Sequence, residues 1–320
     1  MAVFRLFLLK KEPIVREEAG KEGKIMAILG CVVNYCTNDY RFLAPCLEGL
    51  RAISDEIVVA VCDRFFDGQS EDRELLNMSY LENSWVQFVQ YSYEGGYGLY
   101  ERRGEIGGEA HARSLANTGR YVGLSRLSDQ VEYVIFADVD EIGDGVQLKK
   151  WAKKGEFSDA MLLASYVYLG HEGRRSQAHA HAYLVVNRKK LMPEMLFNSY
   201  ERPGFYNSFE GDKKAFIVGE GGEPMIHHYN WVRSPEELKR KIASWGHRDE
   251  RDWASIIQTG GLEGVTGHQY SEVEPLHDVL SVDVEKMRKN GGQVQREFPH
   301  VSVETPESVM RRMLEKEWII

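Results

Sequence analysis

Tyr133-Val-Ile-Phe-Ala137, followed at once by Asp138-Val-Asp140-Glu141, is the stretch from which the rest of the chain is read. The apolar run predicts a strand buried on both faces, and two carboxylates one residue apart fall where that strand ends. Like charges at the mouth of a buried strand raise each other's energy unless something positive sits with them. A hard divalent cation, Mn²⁺ or Mg²⁺, prefers carboxylate and phosphate oxygens and would serve. Two other readings compete. In a calcium-binding EF-hand loop, position five would be Ile142 and position twelve Lys149, where a bidentate Glu is required, so that loop is excluded. A solvated strand-end turn, helped by Gly143, Asp144 and Gly145, is the simpler alternative.

The sequence before this strand carries the same periodicities. Residues 25–33 are nearly all apolar and end at Asn34, and residues 40–50 place Tyr40, Leu43, Leu47 and Leu50 on one helical face. Glu56-Ile-Val-Val-Ala-Val-Cys62 is a second buried strand, ending at Asp63. Strand, helix and strand at this spacing predict a parallel pair with a right-handed crossover. Val86-Gln-Phe-Val-Gln-Tyr91 reads as a third strand. A helix is predicted over 109–127, with Ala112, Leu115, Ala116, Gly119 and Val122 inward. Ligands of open α/β sheets bind outside the carboxyl ends of the strands, where Asn34, Asp63 and Asp138 all fall.

The second half reads differently. Strands are expected over 160–169, 180–186 and 213–218, in a mixed or antiparallel extension. Met225-Ile-His-His-Tyr-Asn-Trp231 precedes Ser234-Pro-Glu-Glu237, which has the form of an N-cap, a first-turn proline and a capping-box partner. Adjacent strand residues face opposite ways, so only one of His227 and His228 can face a metal. Residues 260–304 show weak periodicity, and a last helix is expected from Pro306. Its Met310, Met313, Leu314 and Trp318 form a stripe suited to core or subunit packing, compatible with a homo-oligomer.

Composition bounds the function. The 320 residues are 43% apolar and 28% charged, as in an ordinary globular protein, and the net charge of −9 argues against a nucleic-acid binder. Cys31, Cys36, Cys46 and Cys62 form no metal-binding pair and read as reduced thiols of a cytoplasmic protein. The apolar stretch 3–9 is too short for a signal peptide or a membrane span.

These segments resemble GT-A-fold glycosyltransferases of the family 2 kind. The likeness lies in Asp138-Val-Asp-Glu141 after Val-Ile-Phe-Ala, in the strand at Lys213-Lys-Ala-Phe-Ile-Val218, and in His228-Tyr-Asn-Trp-Val-Arg233. The acidic motif is also similar to that of N-acetylglucosaminyltransferases that bisect N-glycans, whose other segments match less well. The resemblance spans 25–250. It implies a Rossmann-like α/β fold with a mixed, mainly parallel sheet flanked by helices. The nucleotide-binding half would be 25–145 and the acceptor half 146–250, with an extension at 1–24 and a mostly helical one at 251–320.

Under that resemblance the chain would be a metal-dependent, inverting transferase moving a sugar from a UDP- or GDP-sugar to a glycan acceptor. Asn34, Asp63, Arg113, Asn117 and Asp138 would contact the nucleotide sugar. Asp138, Asp140 and His228 would hold Mn²⁺ or Mg²⁺. Glu210 and Asp212 are the candidates for catalytic base, with Glu172 behind them. The chain departs from the family after the second strand, where Asp63 is followed by Arg64-Phe-Phe-Asp67 rather than by a second aspartate, which leaves the base contact open. Two other functions fit such a sheet. A sugar-phosphate nucleotidyltransferase would need a Gly-rich, cationic loop after the first strand, where Asn34-Tyr-Cys-Thr-Asn-Asp39 stands instead. A non-catalytic carbohydrate-binding protein would have no use for a metal–diphosphate site.

Overall fold

A computed structural model describes residues 27–93, 108–196, 201–245 and 250–305, with the single residues 308 and 311. The apolar stretch 3–9 and, apart from residues 308 and 311, the helix expected from Pro306 fall on residues outside that set.

Apolar strands and amphipathic helices alternate through the first half. In order they are β1 (Leu29–Tyr35), α1 (Tyr40–Arg51), β2 (Glu56–Cys62), α2 (Arg73–Glu82), β3 (Gln87–Tyr91), α3 (Gly108–Leu124) and β4 (Tyr133–Asp138). The strands pair in parallel in the order β4-β1-β2-β3, with the helices as crossovers. Both faces are covered, which is why β1, β2 and β4 are near-continuous apolar runs. α1 buries Tyr40, Leu43, Leu47 and Leu50 on the predicted face, and adds Phe42 and Cys46. α3 lies very close to β1, because a Cβ at Gly123 would meet Val32 Cγ1 at 2.3 Å and one at Gly119 would meet Asn34 Oδ1 at 2.6 Å. Only glycine permits that approach.

The alternative of a solvated turn at Gly143–Gly145 gives way to a strand and a helix start. β5 (Glu141–Gly143) leads into α4 (Gly145–Lys154), whose first amides are capped by the Asp144 side chain and whose end is capped by the left-handed Gly155. The same residue types serve turns and helix ends, so local sequence alone did not separate them. β6 (Ala160–Leu169), β7 (Arg174–Ser176) and β8 (Ala180–Asn187) then form the antiparallel extension, with β8 between β6 and β4. After α5 (Glu201–Ser208) come β9 (Lys213–Ile217) and β10 (Ile226–Trp231), both parallel to β6, and α6 (Pro235–Ala243). The capping box at Ser234 and Glu237 opens α6 as predicted.

The segment beyond 250 supplies α7 (Trp253–Gln258), α8 (Leu262–Thr266), β11 (Tyr270–Glu272), α9 (Val284–Gly291) and β12 (Val301–Glu304). It was expected to be mostly helical, yet β12 pairs in parallel with β3 as a further strand of the central sheet. The buried Glu304 pairs there with Arg126, and Arg288 of α9 pairs with Asp72 at 2.6 Å. These long-range contacts hold a segment whose own periodicity is weak. The architecture is therefore a mixed α/β sheet flanked by helices, twelve strands among the described residues. All four cysteines are free thiols, and no described helix is long and apolar enough to cross a membrane.

Candidate active site

A cavity of about 710 Å³ opens at the carboxyl ends of β4, β1 and β2. The register explains the position: Asn34 pairs with Asp138 across β1 and β4, and with Ala60 across β1 and β2, so the three strands end level. Beyond Asp138 the chain folds back. Val139 N donates to Asn34 O (3.1 Å), and Tyr229 N donates to Asp140 O (2.9 Å). This brings the acidic motif beside β10.

Each acid of the motif meets basic side chains. Asp138 Oδ1 accepts from Arg120 Nη2 (3.1 Å) and its Oδ2 from Arg202 Nη2 (2.9 Å). Glu141, fully buried, is gripped by both terminal nitrogens of Arg202 and accepts from Asp138 N (3.0 Å). Asp140 Oδ2 accepts from Lys241 Nζ (2.6 Å) and Arg233 Nη2 (3.1 Å), and its Oδ1 lies 3.5 Å from His228 Nε2. Arg233 also bonds Asp39 and lies over the Phe42 ring. Burial opposes ionisation of both aspartates, but the cations outweigh it. Arg202 and Arg120 hold the Asp138 carboxyl below its ordinary value, and Lys241, His228 and Arg233 hold that of Asp140 well below.

The strand alternation at the two histidines is as expected. His228 turns to Asp140, while His227 is buried with its Nδ1 2.7 Å from Tyr168 Oη. Burial, with His277 nearby, pushes the His227 pKa down to about 3. Since an unfolded His titrates near 6.5, the unfolded chain takes up a proton that the folded one refuses as pH falls below that value. Stability should thus drop by something of order 2 kcal/mol between about pH 6.5 and pH 5. Urea unfolding at the two pH values measures it. His227→Gln should flatten that limb, and an unchanged slope would mean another group carries it.

Other predicted residues are placed as follows. Asn34 lines the cavity and donates from Nδ2 to Ala116 O (3.0 Å). Asp63 does not line it, because its Oδ1 accepts from Tyr93 N (2.7 Å) and anchors the chain after β3. Asn117 is buried behind the cavity and accepts from Arg120 Nη1 (2.9 Å), so it orients Arg120. The side chain of Arg113 lies outside the described set. Glu172 is occupied by Leu280 N (2.6 Å).

Glu210 and Asp212 are a correction. Lys213 pairs with Ala160, Ala160 with Val186, and Val186 with Val134, so Asp212 stands level with the amino end of β4. At about 3.3 Å per residue, that is roughly 17 Å along the sheet from Asp138. Both carboxylates are exposed on the edge opposite the cavity, and neither serves there as a base.

The two aspartates expected as metal ligands are met by cations of the chain itself. Among the described residues no three His, Cys, Asp or Glu side chains come together as a metal-holding group. Both oxygens of Asp138 and Oδ2 of Asp140 are already met by guanidinium or ammonium groups. In this arrangement Asp138, Asp140 and His228 do not fit a divalent cation.

Sequence reasoning missed the four cations. One signal was available, since three acids packed at one strand end demand positive partners. Which Arg or Lys would answer could not be read, because Arg120, Arg202, Arg233 and Lys241 come from three helices and a loop spread over 122 residues.

No protein-family model matches the chain, and no curated protein sequence matches it. Among solved structures, it is similar to 4-diphosphocytidyl-2C-methyl-D-erythritol synthase from Anaerococcus prevotii DSM 20548. That match has 11% identity and a TM-score of 0.40, and covers 67% of this chain and 94% of the other. It is also similar to galactosyltransferase LgtC in complex with donor and acceptor sugar analogues, with 10% identity, 84% and 97% coverage and a TM-score of 0.39. A third likeness is to glucosyl-3-phosphoglycerate synthase from Mycobacterium tuberculosis in complex with Mn²⁺, UDP and phosphoglyceric acid, with 14% identity, 78% and 88% coverage and a TM-score of 0.35. Likenesses at this level add nothing about chemistry.

Proposed function

We propose that the chain transfers a glycosyl group from a nucleoside-diphosphate sugar, UDP- or GDP-linked, to a hydroxyl of a glycan acceptor. The observation that supports this most is the polarity of the cavity. Its β4 end gathers Arg120, Arg202, Lys241 and His228 about the acidic motif, and its β2 end is lined by Phe65, Phe66 and Tyr91. A charged diphosphate suits the first end and a flat nucleobase the second.

The chemistry follows from where charge develops. Breaking the bond between the sugar C1 and the diphosphate oxygen sends an electron pair to the leaving group, and a fixed positive charge nearby lowers that barrier. Lys241 is suited to this role, since Asp140 holds its ammonium in place and an ammonium has three N–H donors. The acceptor hydroxyl attacks C1 from the opposite face, forming the new C1–O bond, and gives its proton to a carboxylate. Glu250, exposed at the cavity wall, is the carboxylate we assign to that step, which inverts the anomeric centre. The same reading puts the chain in a reducing, cytoplasmic setting, with four free thiols. Manganese or magnesium would have to compete with Lys241 for Asp140.

Calorimetric titration with UDP, GDP and their sugar conjugates, with Mn²⁺ and separately with EDTA, tests the reading. Micromolar binding of one nucleotide is expected, and absence of binding to all of them would overturn the donor site. Binding that survives EDTA would fit Lys241 as the resident cation. Binding only with Mn²⁺ would mean that Lys241 yields Asp140 to the metal.

A further inference from the structure

Glu71 lies in the segment between β2 and α2, and nothing in the acidic motif uses it. It is only 8% exposed, yet it lines the cavity. One of its oxygens is fully employed. Oε2 accepts from Thr37 N (3.0 Å) and from the Thr37 hydroxyl, while Asp72 N donates to Thr37 Oγ1 (3.2 Å). Glu71 N in turn donates to Asp63 O (3.4 Å). These bonds clasp the chain leaving β1 to the chain leaving β2. The other oxygen, Oε1, is buried with no hydrogen-bond partner among the described residues.

A structural role accounts for Oε2 and leaves Oε1 unexplained. A buried acceptor without a donor is costly, and a carboxylate oxygen more so. Burial pushes the Glu71 carboxyl up to about 8, against the pull of the Thr37 bonds, so near neutral pH the unliganded cavity favours the protonated acid with its proton on Oε1, and a ligand N–H or O–H donating to Oε1 favours the carboxylate instead. Its surroundings say what would satisfy it. Phe65 and Phe66 precede it in the same connection and line the same end of the cavity, and Asp63, the acid expected to read the base, is committed to Tyr93 N.

We infer that Glu71, through Oε1, is the residue that recognises the nucleoside of the donor, accepting a hydrogen bond from an N–H of the base or a ribose hydroxyl while the phenylalanines cover the ring. The inference rests on the nucleotide-sugar reading and adds the residue that selects the nucleoside. Glu71 is thus a specificity residue where the chains leaving β1 and β2 meet at the cavity wall.

Glu71→Gln separates this from a structural role. The Thr37 amide must still find an acceptor, so the Gln carbonyl takes the place of Oε2 and its NH₂ faces the ligand, donor against donor. Calorimetric titration with UDP, GDP and inorganic pyrophosphate is the measurement, with Glu71→Asp as a second variant that keeps the charge and shortens the reach. Both variants should weaken the preferred nucleoside diphosphate at least about tenfold and leave pyrophosphate within about twofold. Unchanged nucleotide binding in Glu71→Gln, or an equal loss of nucleotide and pyrophosphate, would overturn the assignment. Failure of the unaltered protein to bind any nucleotide would instead remove the donor site itself, a distinct result.

Discussion

Asp140→Ala is expected to abolish measurable transfer, with turnover down by roughly 10²-fold or more, and to lower stability by about 3–5 kcal/mol. The carboxylate is 4% exposed and holds three groups at once: Lys241, Arg233 and His228. Without it, Arg233 keeps Asp39 as a partner, but Lys241 loses the only carboxylate that holds it at the cavity wall among the described contacts. Two losses therefore come from one change. The stability part is read by urea unfolding and the chemical part by turnover at saturating nucleotide sugar. Asp140→Asn keeps the shape and separates them: it should recover part of the stability and little of the turnover. An Asp140→Ala protein with native turnover would remove the β4 end of the cavity from the mechanism.

Arg202→Met should destabilise by a similar amount, about 3–5 kcal/mol, because it leaves Glu141 as a buried carboxylate without its cation. Glu141 is 0% exposed, and its side chain is otherwise held by the Asp138 amide. The double variant Arg202→Met, Glu141→Gln should restore most of the loss, since both charges then leave together. If the double variant is no more stable than Arg202→Met alone, the cost lies in packing around α5 and not in the charge. Arg202 also reaches Asp138, so transfer should stay impaired in the double variant even where stability returns.

The strands β1, β2, β3 and β4 and the helix α1 were legible because burial on both faces, or on one stripe, writes itself as an unbroken or 3.6-period apolar pattern. The acidic motif at the end of β4 and the opposite orientations of His227 and His228 were legible for a related reason, since a strand end and a two-residue period are local properties. α4 was not, because Gly143, Asp144 and Gly145 are residue types shared by turns and helix caps.

What local pattern could not reach was distance across the sheet. Glu210 and Asp212 precede a strand that was correctly expected, yet the pairing of β9 with the start of β6 puts them at the wrong edge. β12 is four residues with little periodicity of its own, and it is a strand because β3 offers it a parallel edge. The chain's own order thus sets where strands end and which residues stand there. The partners that meet those residues are set by tertiary structure. Arg120, Arg202, Arg233 and Lys241 converge on the acids, and Glu71 is left with one unmet oxygen, because each is delivered by a different element. A charge is carried by its residue alone, but its neutralisation depends on which segments the fold brings within a few ångströms.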